Sequence, residues 1–233
     1  MVKKTQFRLP NKVKFRQALL AWFAEQGRDL PWRHTHDPYH ILVSETMLQQ
    51  TQVDRVIPKY REWLDKFPTF AALAAADLDE IRATWKGLGY NIRPLRLQAV
   101  AQLVTLHYGG QLPHDVATLR ALPGIGRYTA GAVASFAFRL DEPILDTNVR
   151  RVLFRVFCAR GAMRTTAMEH HLWDVSTRVL PKGKAWEFNS ALMDFGALIC
   201  TARQPKCPLC PLASFCKSTC RPGKTARRSP AAS

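Results

Sequence analysis

The chain has 233 residues, of which 47% are apolar and 22% are charged, and its formal net charge is +16. These proportions are those of a soluble globular protein, and the length allows one large domain or two small lobes with real cores. No stretch approaches the roughly 18–20 uninterrupted apolar residues that a membrane helix needs, which excludes a membrane span.

Most of the positive charge lies in the two ends of the chain. Residues 1–16 hold six Lys or Arg and residues 217–233 hold five, neither with an acid. Such ends bind nucleic acid by releasing its condensed counterions, although solvated tails have the same composition, so both interpretations stay open. No apolar segment follows the basic N-terminus, so we expect no secretory signal and a cytoplasmic, nucleoid-associated location, or a nuclear or organellar one in a eukaryote.

Apolar residues recur at helical spacing along most of the chain. Phe15, Leu19 and Phe23 share one helical face, and Asp77 with Glu80 forms a capping box. The pattern predicts helices over residues 11–26, 39–52, 53–67, 78–86, 94–107, 115–121, 127–138, 147–159, 166–179 and 185–199, with Pro58 and Pro94 at helix starts. No region shows a run of alternating strands, so the predicted class is all-α.

Two acids stand out along these helices. Glu45 is surrounded by apolar residues of the second predicted helix, where partial burial would raise its pKa and make it a proton donor near neutral pH. The alternative is an exposed helix carboxylate. Asp146 follows the apolar pair Ile144-Leu145 and precedes a helix, a position that by itself favours an N-cap.

A glycine-containing corner joins the predicted helices over 115–121 and 127–138. In Leu122-Pro123-Gly124-Ile125-Gly126-Arg127, the two glycines permit a sharp turn that presents backbone N–H groups at a helix N-terminus. Such a corner binds a phosphate without reading sequence. We refer to residues 122–127 as the hairpin.

Four cysteines crowd near the C-terminus at positions 200, 207, 210 and 216. Without a secretory signal, clustered thiols indicate a metal rather than a disulfide framework. Four thiolates enclose either one zinc or one iron–sulfur cubane, and the six-residue first gap favours the larger group. Cys158 and Cys220 lie outside this spacing, and Cys158 is interpreted as a core residue.

These motifs resemble those of the helix-hairpin-helix glycosylases, which include endonuclease III and MutY. The spacing of Cys200, Cys207, Cys210 and Cys216 is similar to that of their 4Fe–4S loop, and Asp146 stands at the family's distance from the hairpin. The segment Ser44-Glu45-Thr46-Met47-Leu48-Gln49-Gln50-Thr51-Gln52 closely resembles the signature of MutY-type adenine glycosylases. The resemblance covers roughly residues 13–216, and it implies a 4Fe–4S cofactor and a double-stranded DNA partner with a mismatch or lesion.

The resemblance also implies a catalytic set. Glu45 would protonate the leaving base, and ionised Asp146 would stabilise the positive charge that develops on the sugar. Tyr128 stands where lyase-type members have a nucleophilic lysine, and a tyrosine forms no Schiff base, so we expect a monofunctional enzyme. Tyr128 and Asn148 would orient water and the acids.

Further residues are implied as contacts to DNA and to the extruded base. Gln49 would fill the space left by that base and Tyr90 would insert beside the opposite base, although a buried loop aromatic is the other interpretation of Tyr90. Phosphates would be bound by Leu122, Gly124, Gly126 and Arg127 of the hairpin and by Arg203 and Lys206, unless their loop simply faces solvent. The base pocket would contain Trp32, Arg33 and Ser190, although packing alone also explains Trp32.

Three departures from the MutY pattern matter. The chain ends 17 residues past Cys216, so we expect no C-terminal 8-oxoguanine recognition domain. Ser190 stands where many members have Glu or Gln, and Asn91 where a second aromatic is common. Removal of thymine or uracil opposite guanine therefore stays an alternative to adenine removal, and a non-catalytic iron–sulfur DNA-binding protein is a third.

We expect two helical lobes with a DNA-binding cleft between them. The first would be a helical bundle of residues 29–141 that includes the hairpin. The second would combine residues 1–28 and 142–217 with the iron–sulfur cluster. Residues 218–233 would form a disordered basic tail, and we expect the protein to be a monomer.

Overall fold

The structure, a computed structural model, describes residues 9–218. Helical turns of all types account for 64% of residues 9–218, and these residues contain no strand, which confirms the all-α class. The helices are α1 Lys12–Gln26, α2 Pro38–Met47, α3 Val53–Lys66, α4 Phe70–Ala75, α5 Leu78–Trp85, α6 Ile92–His107, α7 Val116–Ala121, α8 Arg127–Phe136, α9 Thr147–Leu153, α10 Thr166–Val179 and α11 Ala185–Leu198. None of them is long and apolar enough to span a membrane. Cys220 and residues 219–233 of the predicted tail lie outside the described residues.

Aspartates begin several of these helices. Asp37, Asp77, Asp115 and Asp146 occupy the N-cap positions of α2, α5, α7 and α9, and each carboxylate accepts backbone N–H groups of the first turn. These N–H groups have no partner inside the helix, so the cap stabilises it, typically by about 1 kcal/mol. The predicted cap at Asp77 is confirmed, and its carboxylate also accepts from the Glu80 amide at 3.3 Å.

Three helix boundaries differ from the prediction. Pro58 does not start a helix but lies inside α3, because the buried face of Val56, Tyr60 and Trp63 holds the helix together despite one lost backbone hydrogen bond. The second helix ends at Met47 rather than at 52, and Gln50 has a positive φ of 56° that a helix cannot contain. The helix predicted from Pro94 begins at Ile92.

Among the elements longer than a 3₁₀ turn, two were not predicted. The six-residue helix α4 is too short to show periodicity, although Thr69 caps it through the Ala72 amide. The predicted helix over 147–159 is α-helical only to Leu153 and continues as a π-helix over Phe154–Cys158, which ends at Ala159 with φ 54°. We call Phe154–Cys158 the π-turn, a type of element that is frequent at functional sites.

The described residues form two compact units. The first unit comprises residues up to 27, residues 145–179 and residues from 190 onward, and the second unit comprises residues 28–144 and 180–189. In the first unit, Trp22 packs edge-on against Phe195 at 5.2 Å, and Arg16 of α1 donates to the carbonyl of Val179 at the end of α10 at 2.6 Å. The core of the second unit is aromatic, with Tyr39, Trp63, Phe67, Phe70 and Trp85 in edge-to-face contacts.

Candidate active site

Glu45 lies on α2 in the second unit and is only 3% exposed. This burial excludes the alternative of an exposed helix carboxylate. The hydroxyl of Tyr128, in the first turn of α8, donates to Glu45 Oε2 at 2.6 Å. The structure therefore brings together two residues that are 83 positions apart and that the sequence assigned to one site.

The hairpin lies between α7 and α8, as the sequence predicted. Gly124 adopts a positive φ of 77°, and Gly126 is the N-cap of α8 without any side-chain cap. Leu122 and Ile125 are buried and anchor the turn, whereas Gly124, Gly126 and Arg127 are exposed. A Cβ on Gly124 would lie 2.9 Å from Cδ of Arg96, so the side chain of Arg96 lies directly against the hairpin.

Gln49 and Tyr90 lie on two neighbouring irregular segments of the second unit. We call residues 48–52 the Gln49 turn and residues 86–91 the Tyr90 loop. Gln49 is half-buried, whereas Tyr90 is 57% exposed, so the interpretation of Tyr90 as a buried loop aromatic is wrong. The Tyr90 hydroxyl donates to the side-chain oxygen of Gln50, and the buried Arg93 contacts both segments.

Asp146 lies in the first unit, where it is both an N-cap and part of a polar cluster. Its Oδ1 accepts from the Val149 amide at 2.6 Å, and its Oδ2 accepts from Nδ2 of Asn148 at 3.1 Å. Burial raises the pKa of Asp146, and these hydrogen bonds, with the charge of Arg151, oppose the rise without cancelling it. The predicted pair of Asp146 and Asn148 is therefore in direct contact.

Arg151 and Arg155 connect this part of the first unit to the cysteine segment, residues 200–216. Arg151 donates to Oδ1 of Asn148 at 2.8 Å and to the carbonyls of Gly196 and Cys200 at 2.6 and 2.7 Å. Arg155, on the π-turn, donates to the carbonyls of Thr201 and Ala202 at 2.7 and 3.0 Å. Two cations thus position the backbone that precedes Arg203 and Lys206.

Sequence reasoning did not identify Arg93, Arg151 or Arg155. Their partners are mostly backbone carbonyls more than 40 positions away, which no local pattern reveals. The only available signal is the spacing of Arg151 and Arg155, four residues apart just after Asp146, which places both on one helical face.

Burial disfavours the ionised form of two thiols of the cysteine segment. Burial raises the pKa of Cys210 to about 11, and neighbouring Cys200 and Cys216 add to the rise. Burial likewise raises the pKa of Cys216, with a contribution from Cys200. Iron bound to these sulfurs would relieve this cost, because a metal stabilises the thiolate form.

The donor set fits an iron–sulfur cluster in its chemistry and spacing. Cys207 lies on the same segment and begins the short 3₁₀ turn Cys207–Leu209. Within residues 9–218, no three His, Cys, Asp or Glu side chains are already arranged around a metal position. The ligand assignment of Cys200, Cys207, Cys210 and Cys216 therefore stays a prediction.

The remaining predicted residues range from buried to exposed. Trp32 is buried and packs edge-on against Tyr60 at 5.5 Å, so its packing is explained within the second unit. Arg33 is half-buried and donates to the carbonyl of Arg28. Ser190 is 3% exposed on α11. Arg203 and Lys206 are exposed, consistent with either phosphate binding or a solvated loop.

Comparison with protein families gives two matches. Residues 43–178 match the HhH-GPD superfamily of base excision DNA repair proteins. Residues 200–216 match the iron-sulfur binding domain of endonuclease III. The second match begins and ends at the cysteines of the predicted cluster loop.

Several curated proteins are similar over most of the chain. An adenine DNA glycosylase of Rattus norvegicus is 42% identical over 90% of this chain and 42% of its own length, and one of Mycolicibacterium smegmatis is 46% identical over 85% and 67%. A thymine/uracil-DNA glycosylase of Pyrobaculum aerophilum is 39% identical over 87% of this chain and 90% of its own length. The chain therefore spans about two fifths of the length of its mammalian relatives.

Two solved structures have the same fold. A thermostable thymine-DNA glycosylase superposes with a TM-score of 0.83 at 33% identity, covering 89% of this chain and 96% of the other. A trapped covalent intermediate of endonuclease III with DNA superposes with a TM-score of 0.75 at 26% identity, covering 89% and 96%.

Proposed function

The chain belongs to the HhH-GPD superfamily of base excision DNA repair proteins, and on that premise we propose that it is a monofunctional DNA glycosylase that hydrolyses the N-glycosidic bond of a mispaired adenine. The preferred opposite base would be 8-oxoguanine or guanine. The adenine assignment is supported by the segment from Ser44 to Gln52 and by the identity to adenine glycosylases.

The observation on which the proposal depends is the contact between Tyr128 and Glu45. An adenine leaves readily only when its ring nitrogen is protonated, and a buried carboxyl group is suited to deliver that proton. The hydroxyl of Tyr128 fixes the orientation of Glu45 through a 2.6 Å hydrogen bond. Tyr128 occupies the position of the lyase lysine without being able to form a Schiff base, so the product would be an intact abasic site.

Asp146 would supply the second part of the chemistry. As the base departs, the sugar acquires oxocarbenium-like positive charge, which an ionised carboxylate stabilises. Asn148 holds one oxygen of Asp146 and the Val149 amide holds the other, so the carboxylate needs no reorganisation during the reaction. These hydrogen bonds also favour the ionised form that this role requires.

Binding to duplex DNA would use backbone groups and exposed cations. The hairpin would accept one phosphate at the N-terminus of α8, and Arg203 and Lys206 would bind others. Gln49 would fill the space left by the extruded base, and exposed Tyr90 would insert beside the opposite base. Trp32, Arg33 and Ser190 would line the pocket for the extruded adenine.

The cysteine segment would hold a 4Fe–4S cluster through Cys200, Cys207, Cys210 and Cys216. Hydrolysis of a glycosidic bond requires no electrons, so the chemistry that this group supplies is structural crosslinking of the segment. The loop between Cys200 and Cys207 presents Arg203 and Lys206, and the contacts from Arg155 hold its backbone in place.

A second function, removal of thymine or uracil opposite guanine, is favoured by one observation. The thymine/uracil glycosylase relative is matched over 90% of its length, and the thymine-DNA glycosylase structure superposes over 96% of its own. A pyrimidine is a better leaving group than an unprotonated purine, so this reaction would depend less on Glu45.

The test is single-turnover excision from labelled duplexes that contain A·8-oxoG, A·G, T·G or U·G, followed by alkali to reveal abasic sites. We expect cleavage at adenine, and a loss of at least about hundredfold in Glu45→Gln with nearly unchanged DNA binding. The matched control is Glu25→Gln, an exposed glutamate of α1. Cleavage only at T or U, or full activity of Glu45→Gln on adenine, would contradict the proposal.

A further inference from the structure

Arg93 is a buried cation that binds two segments of backbone at once. It lies in the first turn of α6 and is 5% exposed. One terminal nitrogen donates to the carbonyls of Thr46, Met47 and Gln49 at 2.8, 3.0 and 2.6 Å. The other donates to the carbonyls of Leu88 and Gly89, each at 3.0 Å.

The guanidinium is compensated by these carbonyls and by aromatic rings. Its central carbon lies 5.2 Å from the ring centre of Trp85 and 5.3 Å from that of Tyr90. Among residues 9–218, no carboxylate forms an ion pair with Arg93, and its Nε is buried without a hydrogen-bond partner. Its charge is therefore balanced by backbone carbonyls and aromatic rings rather than by a carboxylate.

The two segments that Arg93 joins are the Gln49 turn and the Tyr90 loop. Both contain backbone that is unfavourable without support, since Gln50 and Tyr90 are non-glycine residues with φ of 56° and 50°. The hydroxyl of Thr51 adds to the link, because it accepts from Arg93 at 3.2 Å and lies 3.3 Å from the carbonyls of both Leu88 and Gln49, either of which can accept its proton.

We propose that Arg93 is a positioning residue for base extrusion, which locks the Gln49 turn and the Tyr90 loop into one rigid wedge. This inference rests on the proposed function and deepens it. A wedge fills the space of an extruded base only if its backbone is rigid. Otherwise the base pairs of the duplex would close again and displace it. Because Arg93 donates to both segments, the Gln49 turn and the Tyr90 loop cannot be displaced separately.

Arginine is required for this role because of its geometry. Its planar fork carries two terminal nitrogens, of which one donates to the Gln49 carbonyl and the other donates both to the Tyr90 loop and to Thr51 of the Gln49 turn. A lysine retains the charge but concentrates its donors at one point, so it can satisfy only one segment. The carbonyls of the other segment would then lose their charged donor.

The decisive comparison uses Arg93→Lys on two substrates. In the first the target base is paired in the duplex, and in the second it lies unpaired in a bulge and needs little extrusion. We expect single-turnover excision from the paired substrate to fall by about tenfold to hundredfold, as the loss of charged hydrogen bonds implies. Excision from the bulge should fall less than about threefold, because the hydrogen bond between Tyr128 and Glu45 is made by their own side chains and not by the two segments that Arg93 joins.

An independent readout is the fluorescence of 2-aminopurine placed beside the target base, which rises on extrusion whether or not the bond is cut. Its amplitude should be lower with Arg93→Lys than with the wild type. Rates are compared well below each variant's own unfolding temperature. Arg82→Lys, an exposed arginine of α5, is the matched control. Thr51→Val, which removes only the bridging hydroxyl, should give a smaller loss with the same preference for the paired substrate.

The outcomes separate the two proposals. If the wild type excises no base from any duplex, the proposed function is wrong, and the fluorescence comparison alone then tests Arg93. Equal losses on paired and bulged substrates, or an unchanged fluorescence amplitude in both Arg93→Lys and Thr51→Val, would overturn the role of Arg93 in extrusion.

Discussion

At Asp146, the carboxylate caps α9 and is also placed where burial penalises its charge. A cap needs only an accepting oxygen, which an amide side chain also offers, whereas stabilisation of a cationic sugar needs a full negative charge. The raised pKa shows that the fold tolerates an unfavourable ionisation here. The residue is thus retained at a cost to stability, as expected of a functional group.

The first prediction concerns Asp146→Asn. A raised pKa in the folded state means that folding favours the protonated form, so its stability contribution is complete below the unfolded value of about 3.9 and is lost as pH rises through the folded pKa. Asparagine resembles the protonated form at every pH. We therefore expect the variant to be at least as stable as the wild type at pH 7, with an advantage that shrinks as the pH falls through the raised folded pKa and is gone below about 4.

Denaturant unfolding at pH 7 and at acid pH measures the difference in stability between Asp146→Asn and the wild type. Single-turnover assays should show that the variant excises the base at least about hundredfold more slowly. The control is Asp65→Asn, an exposed aspartate of α3. If the stability of the variant relative to the wild type were lower at pH 7 than at acid pH, the assigned direction of the pKa shift would be wrong.

At the scale of elements, the close approach of α9 and α11 is set by a single glycine. A Cβ on Gly196 would lie 2.7 Å from Cβ of Asn148 and 3.1 Å from its carbonyl oxygen. Gly196 also offers its own carbonyl to Arg151. The absence of a side chain at Gly196 is thus a condition for the hydrogen bonds that hold Asp146.

The second prediction is that Gly196→Ala displaces Asn148 from Asp146. We expect a loss of about 1–3 kcal/mol in the free energy of unfolding from overpacking, and a loss of excision larger than this destabilisation explains. Ala197→Gly in the same helix, at about 1 kcal/mol from helix propensity, is the control and should retain excision. If the loss of excision were in the same proportion to the loss of stability in Gly196→Ala and in Ala197→Gly, a specific effect on Asn148 would be contradicted.

The sequence indicated the elements better than the contacts between them. Periodicity located most helices, and the aspartate caps marked several starts, because both signals are local. The short α4 and the π-turn escaped because six residues show no periodicity and because an i→i+5 turn has no residue signature. The contact between Glu45 and Tyr128 could be predicted only through the family resemblance. The contacts of Arg93 could not be predicted, because its partners are backbone carbonyls, which every residue has and which leave no signal in the sequence.

At the scale of the whole molecule, the cysteine segment returns to α9 and the π-turn. The amides of Lys217 and Ser218 donate to the carbonyls of Val156 and Arg155 at 3.2 and 2.8 Å, which satisfies groups that a helix end leaves without partners. Sγ of Cys216 lies 3.3 Å from the Arg155 carbonyl. A metal group that crosslinks the cysteines would therefore also hold the π-turn in place.

The third prediction is that Cys216→Ser abolishes stoichiometric iron and sulfide binding and lowers the melting temperature by several degrees, since about 1 kcal/mol corresponds to ~2–4 °C at this size. Cys158 lies outside the spacing of the four predicted ligands, so Cys158→Ser should keep both the iron and sulfide binding and the melting temperature. Iron and sulfide analysis with visible absorption measures the cluster. Zinc in place of iron, in protein purified without oxygen, would contradict the assignment of an iron–sulfur group.

The composition of the first unit from distant parts of the chain has a consequence for biosynthesis. Arg16 and its partner Val179 are separated by 163 positions, so α1 leaves the ribosome about 10–30 s before α10 exists, at ordinary elongation rates. During that interval Phe15 and Leu19, which are fully buried in the finished protein, lack the later parts of the first unit, among them Phe157 of the π-turn, whose ring packs edge-on against Phe15 at 5.0 Å. The nascent chain therefore exposes the apolar side chains of Phe15 and Leu19 for most of its translation.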